Sequence, residues 1–565
     1  MATGAHTYGL DATLLEPQAL PPPPVRHALF LFLVVLASIL HVGTAGWSDI
    51  RDGVEGIYAS GARDMLRQNT GLIPVINGAP APHEPPLLHW AIAGSYHSFG
   101  ISAAAARFPI AAAMVVAIAF TFLIGEALVG YWRGFVAGLL HLSSTGAFLW
   151  GRSVTPEPLF AATIAAALFC AICGYQQRRR RRRFFAAAWF CIALACLTKG
   201  IAGLLLPAVV FLLLALLLRE ARLRFPSLLH WSGPTIFIAI VGAWLLYVQL
   251  RFPGLATQPF SAWLSPFTTG EVAGEIAPRP LGAFLLAQLV AFSPALLLVL
   301  PGVLFDWRNV TRLREMDLSD ALPLCWMLIG FLPLLILPHR QDYHSIAMWG
   351  GLALWAACAW DRMPVSLRLA GIALLAMCGI GSIFSGRILS AATGIESVEL
   401  VLNINLTAIA VALTLFSLAA AILAWRDHER WSTIVLLLGM VPAGLAAAEG
   451  AARLNPYLSL ACAAHFLQPQ LGDDGEVLYE GPRASASSLG FYLERPFTIV
   501  TEEPGPAAGT LNEETALEHM RAEHPVYLII DKERVPHWQR LLTERFHIYH
   551  QLASCGAHVV LNNHQ

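Results

Sequence analysis

The chain has 565 residues, of which 56% are hydrophobic and only 13% are charged, and its formal net charge is -1. A soluble protein carries about 25% charged residues. The mean hydropathy of +0.59 and the repeated apolar runs of about 20 residues therefore exclude a soluble globular protein and indicate a polytopic α-helical membrane protein.

The order of apolar and polar segments predicts three regions. Residues 1–26 contain the run Pro21 to Pro24 and no apolar periodicity, which predicts a disordered cytoplasmic tail. Residues 27–450 form the predicted membrane domain, and its first span is long enough to be a retained helix rather than a signal peptide. About thirteen spans are expected, near 28–46, 107–128, 135–150, 158–175, 184–198, 201–218, 233–250, 281–304, 321–337, 345–360, 367–385, 404–424 and 432–449.

The basic residues predict the orientation. If the N-terminus is cytoplasmic, arginines gather in the inner connections, which is the positive-inside pattern. The run Arg178 to Arg183 is interpreted as an orientation anchor rather than a nucleic-acid site, and no nucleic-acid partner is expected. The segments rich in Asp, Glu, His, Lys and Pro then share the outer face, namely 47–106, 151–158, 198–200, 251–280, 337–345, 386–403 and everything after about 450.

Residues 451–565 differ in composition and predict a small extracytoplasmic α/β domain. Strands are expected at 477–481, 526–531 and 557–562, with helices at 513–524 and near 536–545. The pattern shows no nucleophile motif, which favours a structural or acceptor-positioning role. Cys462 and Cys555 could pair if this domain is outside the cytoplasm, and their pairing stays open.

The first outer loop, 47–106, concentrates ionisable residues. Asp52, Glu55 and Tyr58 are spaced by three and would share one face of a helix. Such carboxylates act as a general base or bind a cation, or they simply favour a helix N-terminus. Several prolines between 80 and 86 stiffen the segment that presents His83 and Glu84.

Several motifs together carry a resemblance to a known family. The order acidic-x-x-Tyr-Ala, Ala-Arg-Asp-Met-Leu, Pro-x-x-Asn-Gly and Pro-Pro-Leu-x-x-Trp in this loop resembles the first outer loop of the GT-C membrane glycosyltransferases, in the aminoarabinose transferase and protein mannosyltransferase-like group. Ala-Ala-Arg-Phe-Pro at 105–109, Leu-Thr-Lys-Gly at 197–200 and Leu-Pro-His-Arg-Gln-Asp-Tyr-His at 337–344 agree with it. The resemblance implies the GT-C fold and a sugar donor linked to polyprenyl phosphate.

The resemblance also implies roles for single residues. Glu55 or Asp52 would be the catalytic carboxylate that orients or deprotonates the acceptor. Both stay candidates, because Val54 stands where the family usually has the first residue of an Asp-Glu pair. His83 and Glu84 stand where the family often has Glu-Lys. A divalent metal is a candidate cofactor, with the ligands His83, Glu84 and His339. The expected substrate-binding residues are Tyr58, Arg63, Glu84, Glu157, Lys199, Arg340 and Tyr343.

Alternatives stay open for several of these residues. Lys199 and Arg340 lie at outer helix ends and would hold the phosphate, or they would snorkel to the interface. Tyr58 and Tyr343 would line the sugar, or they would be packing residues. His339 and His344 flank Arg340 and would equally serve as hydrogen-bonding structure.

The sequence therefore predicts an inverting glycosyltransferase, a monomer, in a bacterial inner membrane. The sugar would pass from an undecaprenyl-phosphate carrier to a lipid, glycan or protein acceptor on the outer side. The alternatives are a transporter or flippase for a lipid-linked substrate, and an inactive scaffold of the same fold. Polar residues concentrate in the outer loops rather than inside the spans, which favours surface chemistry over transport.

Overall fold

The structure is a computed structural model. It describes residues 23–68, 70–177, 179–253, 279–311, 316–337, 340–393, 398–472, 474–501, 510–544 and 549–564. The predicted tail therefore lies almost wholly outside the described residues, as do most of the loop 251–280 and His339.

Up to residue 467, the regular structure of the described chain is helical, apart from a two-stranded hairpin. Apolar runs without charged residues satisfy their backbone polar groups internally, which in a lipid environment requires helices. The helices are Pro23–His41, Val54–Arg67, Leu87–Phe99, Ala103–Val129, Tyr131–Leu142, Thr145–Trp150, Glu157–Gln176, Arg181–Lys199, Ala202–Leu217, Arg219–Arg224, Ser232–Phe237, Ala243–Arg251, Leu281–Ala291, Ala295–Phe305, Trp307–Thr311, Leu318–Ile336, Trp349–Arg362, Val365–Gly381, Ser385–Thr393, Val398–Trp425, Glu429–Leu438, Met440–Arg453, Asn455–Leu458 and Ala461–Leu467. Shorter helical turns of the 3₁₀ or π type occupy Phe225–Leu229, Ile238–Gly242, Asp342–Met348 and Ser382–Phe384.

All of the predicted spans contain helix, but several are interrupted. Within the described residues, seven helices are long and apolar enough to cross a membrane, and the number rises to nine if each of two bent pairs is one span. One such pair, Leu281–Ala291 and Ala295–Phe305, bends by 99°. The protein is a multi-pass helical membrane protein, and the number thirteen stays a prediction.

Contacts between helix ends divide the bundle into two faces. One face, here called the loop face, brings together the loop 42–102, the segment 151–157, the helix end at Lys199 and the turn Asp342–Met348. The other, here called the arginine face, is tied by pairs of ionised side chains from different helices. These pairs are Arg26–Glu126, Arg133–Asp361, Arg362–Asp320 and Arg368–Glu429.

The first outer loop folds into two helices and a hairpin on the loop face. Strands β1 (Val75–Ile76) and β2 (Ala79–Pro80) pair antiparallel around Asn77 and Gly78. Both turn residues have positive φ, 50° and 78°, which Asn and Gly adopt most readily. The helices Val54–Arg67 and Leu87–Phe99 pack together through Ile57, Ala62, Leu88 and Ile92.

The last hundred residues form the expected α/β domain. Its six strands are β3 (Glu476–Glu480), β4 (Thr498–Val500), β5 (Thr510–Leu511), β6 (Val526–Asp531), β7 (His550–Cys555) and β8 (His558–Asn562), in the sheet order β5-β4-β3-β6-β8-β7. Strands β3 to β6 run parallel, and β7 and β8 pair antiparallel at one edge. Helices Ser487–Leu493, Glu513–His519 and Val535–Glu544 cover the sheet, with 3₁₀ turns at Arg483–Ala486 and Lys532–Arg534. Cys462 and Cys555 form a disulfide, with Cα atoms 5.7 Å apart.

The α/β domain is fastened to the first outer loop by several polar contacts. The Arg63 guanidinium donates to the carbonyl oxygens of Gly490 and Phe491, each at 2.8 Å. The Tyr492 hydroxyl accepts from the Ile50 amide at 2.8 Å. Phe491 lies in the same apolar cluster as the two loop helices. The domain therefore holds the loop rather than standing apart from it.

Candidate functional site

Glu55, one of the two predicted catalytic carboxylates, lies in a buried ion pair with Arg107. Its Oε2 accepts from Arg107 Nη2 at 2.8 Å and from the Arg51 amide at 3.0 Å, and its Oε1 accepts from the Val154 amide at 3.0 Å. Burial alone would raise the pKa of this carboxyl, but Arg107 and Arg51 outweigh burial and lower it to about 2. Glu55 is therefore ionised at neutral pH, and both of its oxygens are engaged in joining three segments.

Asp52, the alternative acid, faces the α/β domain. Its Oδ1 accepts from the Ser488 amide at 2.8 Å, and its own amide donates to the Leu458 carbonyl oxygen at 2.9 Å. Burial raises the pKa of Asp52 to about 7, although the bonds from Ser488 act in the opposite direction. The structure thus places both candidate acids in contacts that hold the loop.

Glu157 lies at the centre of a different polar group on the loop face. It is 1% exposed and begins the helix Glu157–Gln176. Its Oε1 accepts from Lys199 Nζ at 2.8 Å and lies 3.6 Å from His344 Nε2. Its Oε2 is buried and has no hydrogen-bond partner among the described residues. A buried carboxylate oxygen without a protein donor can accept a hydrogen bond from a substrate hydroxyl.

Two tyrosines and a second glutamate belong to the same group. Burial raises the pKa of Tyr58 well above its usual range, and the negative charges of Glu84 and Glu157 add to that rise. Burial followed by the charge of Glu157 has the same effect on the pKa of Tyr343. Tyr58 therefore lies near Glu84, Glu157 and Tyr343, and Tyr343 lies near Glu157. Their role in binding substrate stays a prediction.

His344 completes the group as a neutral ring. Its Nδ1 accepts from the Gln341 amide at 3.2 Å, so its Nε2 carries the proton and faces Glu157. Burial and the neighbouring Lys199 lower the pKa of His344 to about 3. Its ring contacts the ring of Tyr343 edge-on, with centroids 5.0 Å apart.

Two arginines stand beside this group. Arg340 donates from Nε to the Leu337 carbonyl oxygen at 3.0 Å, and its own carbonyl oxygen accepts from the Arg279 amide at 3.1 Å. Arg279 pairs with Asp342 at 3.2 Å and is 55% exposed. Both arginines are therefore held at the residues that precede Tyr343 and His344 in the chain.

The predicted metal ligands do not all fall within the described chain. Glu84 is buried and His83 is half-buried, and both make contacts with other residues. His339 lies outside the described residues. In the described ranges, no three His, Cys, Asp or Glu side chains are arranged to hold a metal ion. A bound divalent metal therefore stays a prediction.

Arg63 is the predicted substrate-binding residue that the structure places elsewhere, at the α/β domain, where Asp64 also accepts from it at 2.7 Å. Sequence reasoning missed His89, whose ring is buried and meets Tyr58 edge-on with centroids 5.4 Å apart. Burial lowers the pKa of His89 to about 4. The sequence reasoning also gave no role to Arg107, although the Ala-Ala-Arg-Phe-Pro motif contains this residue.

Comparisons with known proteins agree with this architecture. A family model described as dolichyl-phosphate-mannose-protein mannosyltransferase matches residues 83–247. An uncharacterized protein of Aquifex aeolicus (strain VF5) is 30% identical over 223 residues, which is 39% of this chain and 44% of that protein. The matched segment therefore spans less than half of that relative.

Solved structures are similar over nearly the whole chain. ArnT from Cupriavidus metallidurans bound to undecaprenyl phosphate is 19% identical, with 95% of this chain and 98% of that chain covered and a TM-score of 0.77. The archaeal oligosaccharyltransferase AglB from Archaeoglobus fulgidus, in complex with an inhibitory peptide and a dolichol-phosphate, is 12% identical, with 90% and 70% covered and a TM-score of 0.51. The resemblance to GT-C glycosyltransferases of the aminoarabinose transferase and mannosyltransferase-like group is confirmed, and with it the fold.

Proposed function

We propose that the protein transfers a sugar from a polyprenyl-phosphate carrier to an acceptor hydroxyl at the loop face. One observation carries the proposal: the Glu157 carboxylate is buried and held by Lys199, and its second oxygen has no donor among the described residues. It lies beside Tyr58 and Tyr343. The similarity to ArnT, which was solved with undecaprenyl phosphate bound, supports a carrier of this class.

Glu157 is the proposed general base. The acceptor hydroxyl oxygen attacks the anomeric carbon, and its proton passes to Glu157 Oε2. The bond between that carbon and the phosphate oxygen breaks, and its electron pair stays on the phosphate. Attack from the side opposite the phosphate inverts the configuration at the anomeric carbon.

Positive side chains would receive the departing phosphate. Lys199 has three N–H donors, of which one is used by Glu157, so two can reach a phosphate oxygen. Arg340 and Arg279 stand next to the turn Asp342–Met348 and can neutralise the charge that develops on the phosphate. Tyr58 and Tyr343 offer ring faces and hydroxyls to the sugar.

Glu55 and Asp52 receive a different role in this proposal from the one expected from sequence. Their contacts with Arg107 and with Ser488 make them positioning residues for the loop that carries Tyr58. The loop face would be extracytoplasmic in a bacterial inner membrane, with the N-terminus in the cytoplasm, because arginines concentrate at the opposite face.

The test is transfer by the full-length protein in liposomes that contain a panel of polyprenyl-phosphate sugars, with release of free carrier phosphate as the readout. Glu157→Gln should lower the rate by about 10² to 10⁴, the range for loss of a general base. Glu126→Gln, which changes a glutamate paired with Arg26 at the arginine face, serves as the matched control. Equal release by wild type and Glu157→Gln, or movement of labelled lipid without transfer, would overturn the proposal.

A further inference from the structure

The arginine face contains a cavity of about 450 Å³ that the proposed transfer reaction does not use. It lies among the ends of the helices Ala103–Val129, Tyr131–Leu142, Trp349–Arg362, Val365–Gly381 and Glu429–Leu438. Its volume falls within the range of about 300–1,000 Å³ that is typical of small-molecule sites.

The charged residues of the lining leave an excess of positive charge. Arg133 pairs with Asp361 at 2.7 Å, and Arg368 pairs with Glu429 at 2.8 Å. Arg430 also lines the cavity, and among the described residues it has no carboxylate partner within ion-pair distance. Three arginines against two carboxylates give the lining a net charge of +1.

One hydrogen-bond donor at this site also lacks an acceptor among the described residues. Arg368 Nε is buried, and no described residue accepts a hydrogen bond from it, while Arg368 Nη2 donates to the Asp361 carbonyl oxygen at 2.9 Å. A buried guanidinium donor left without an acceptor is costly, so an oxygen-rich anion in the cavity would be stabilised. The planar guanidinium groups suit the oxygens of a phosphate ester.

The aromatic residues of the lining indicate where such a ligand comes from. The Arg430 guanidinium lies over the Trp132 ring at 5.5 Å, and the Arg368 guanidinium lies over the Trp360 ring at 5.9 Å. Tryptophan is enriched where membrane helices meet water. Trp425 and Trp431 flank the helix start at Glu429 and are 81% and 63% exposed, so they can contact acyl chains beside the cavity.

We propose that this cavity binds the phosphate ester of an anionic phospholipid headgroup from the leaflet at the arginine face. The site is separate from the Glu157 group and does not depend on the proposed transfer reaction. A lipid bound here would join the ends of five helices. One of them, Trp349–Arg362, directly follows the turn Asp342–Met348 at the loop face, so the expected effect is on the stability of the bundle.

The test uses purified full-length protein in a neutral detergent, with thermal unfolding and native mass spectrometry as readouts. Phosphatidylglycerol should raise the Tm of the wild type and remain bound, whereas zwitterionic phosphatidylcholine should not. Arg430→Glu should weaken binding of phosphatidylglycerol by at least about tenfold, because it replaces the excess positive charge of the lining with a negative one. Arg426→Glu is the matched control, since Arg426 is exposed four residues earlier and does not line the cavity.

Arg368→Gln gives a second, independent variant that removes the guanidinium whose Nε is buried, and its Tm without lipid reports whether it folds. Glycerol 3-phosphate and inorganic phosphate form a separate arm. If they raise the Tm of the wild type but not of Arg430→Glu, while phosphatidylglycerol raises neither, the ligand is water-soluble and the lipid proposal is wrong. If phosphatidylglycerol acts equally on wild type, Arg430→Glu and Arg426→Glu, the proposal is wrong.

Discussion

Arg107 Nη2 lies 2.8 Å from Glu55 Oε2, and the two side chains are only 2% and 7% exposed. The guanidinium also donates to the carbonyl oxygen of Asp49, at 2.6 Å. This pair joins the start of the membrane helix Ala103–Val129 to the first outer loop. The cost of burying two charges is offset only because nearly every polar atom of both groups is bonded.

Breaking this pair from one side should be strongly destabilising. Glu55→Gln leaves the Arg107 charge buried without its partner, and we expect a loss of about 3–5 kcal/mol, read as a lower Tm of the full-length protein in detergent. The double variant Glu55→Gln/Arg107→Met should lose less than the sum of the two single variants. Glu533→Gln, at an exposed glutamate, is the control. A Glu55→Gln protein that keeps the wild-type Tm but loses transfer would instead restore Glu55 as the catalytic carboxylate.

The pH dependence of the same pair has a defined sign. The pKa of Glu55 is about 2 in the folded protein, below the value of about 4.3 of an unperturbed glutamate. The stability that the pair contributes is therefore complete above about pH 4.3 and is lost as the pH falls towards 2. Between pH 6 and 9, the difference in Tm between wild type and Glu55→Gln should stay constant.

Asp52 should show the opposite behaviour. Burial raises its pKa to about 7 in the folded protein, whereas an unperturbed aspartate has a pKa of about 3.9. The folded protein therefore holds a proton that the unfolded chain has lost, and the stability contributed by this group falls as the pH rises from about 4 to 7.

The variant Asp52→Asn tests this sign. Its Oδ1 can still accept from the Ser488 amide, and it has no charge to bury. We expect a higher Tm than that of the wild type at pH 8 and a much smaller difference at pH 4.5. Asp474→Asn, at an exposed aspartate, should change neither value. A Tm of Asp52→Asn below that of the wild type at pH 8 would show that the ionised carboxylate is the stabilising form.

Local patterns in the sequence predicted the elements of this fold well. Continuous apolar runs identified the membrane helices, and alternating apolar residues identified β3, β6 and β8 within a residue of their observed bounds. The breaks were harder to predict. The predicted span 135–150 divides at Ser143, because the Ser144 side chain caps a new helix that begins at Thr145.

The site could be predicted only as a set of residues. Glu157 and Lys199 were both expected to bind substrate, but their direct pairing joins residues 42 positions apart on different helices. Likewise, Glu55 and Arg107 are 52 positions apart, and no spacing in the sequence links them. Which carboxylate is engaged and which keeps an available oxygen depends on these long-range contacts.

The disulfide between Cys462 and Cys555 should stabilise the α/β domain because it lowers the conformational entropy of the unfolded chain. The two cysteines are 93 residues apart, and closing a loop of that length is worth about 4–5 kcal/mol in the chain-entropy description. We expect Cys462→Ser/Cys555→Ser to lower the Tm measured without reductant. Cys378→Ser, at an exposed free cysteine, is the control. An unchanged Tm, or rapid alkylation of Cys462 in the unreduced protein, would contradict the bond.

Lys199 should act on the proposed reaction both through Glu157 and through the phosphate. Its Nζ is 2.8 Å from Glu157 Oε1, and the ammonium lies over the Phe160 ring at 5.8 Å from the centroid. Lys199→Met removes the cation from both partners, so kcat should fall by about 10² or more and KM for the lipid donor should rise. Lys199→Arg restores the charge and should recover part of KM, because its planar fork suits phosphate but alters the contact with Glu157. Lys532→Met, at an exposed lysine of the α/β domain, should leave both constants unchanged. If Lys199→Met lowers both the Tm and kcat, and Lys199→Arg recovers neither, Lys199 would be a structural cation. The phosphate would then have to be held by Arg340 and Arg279.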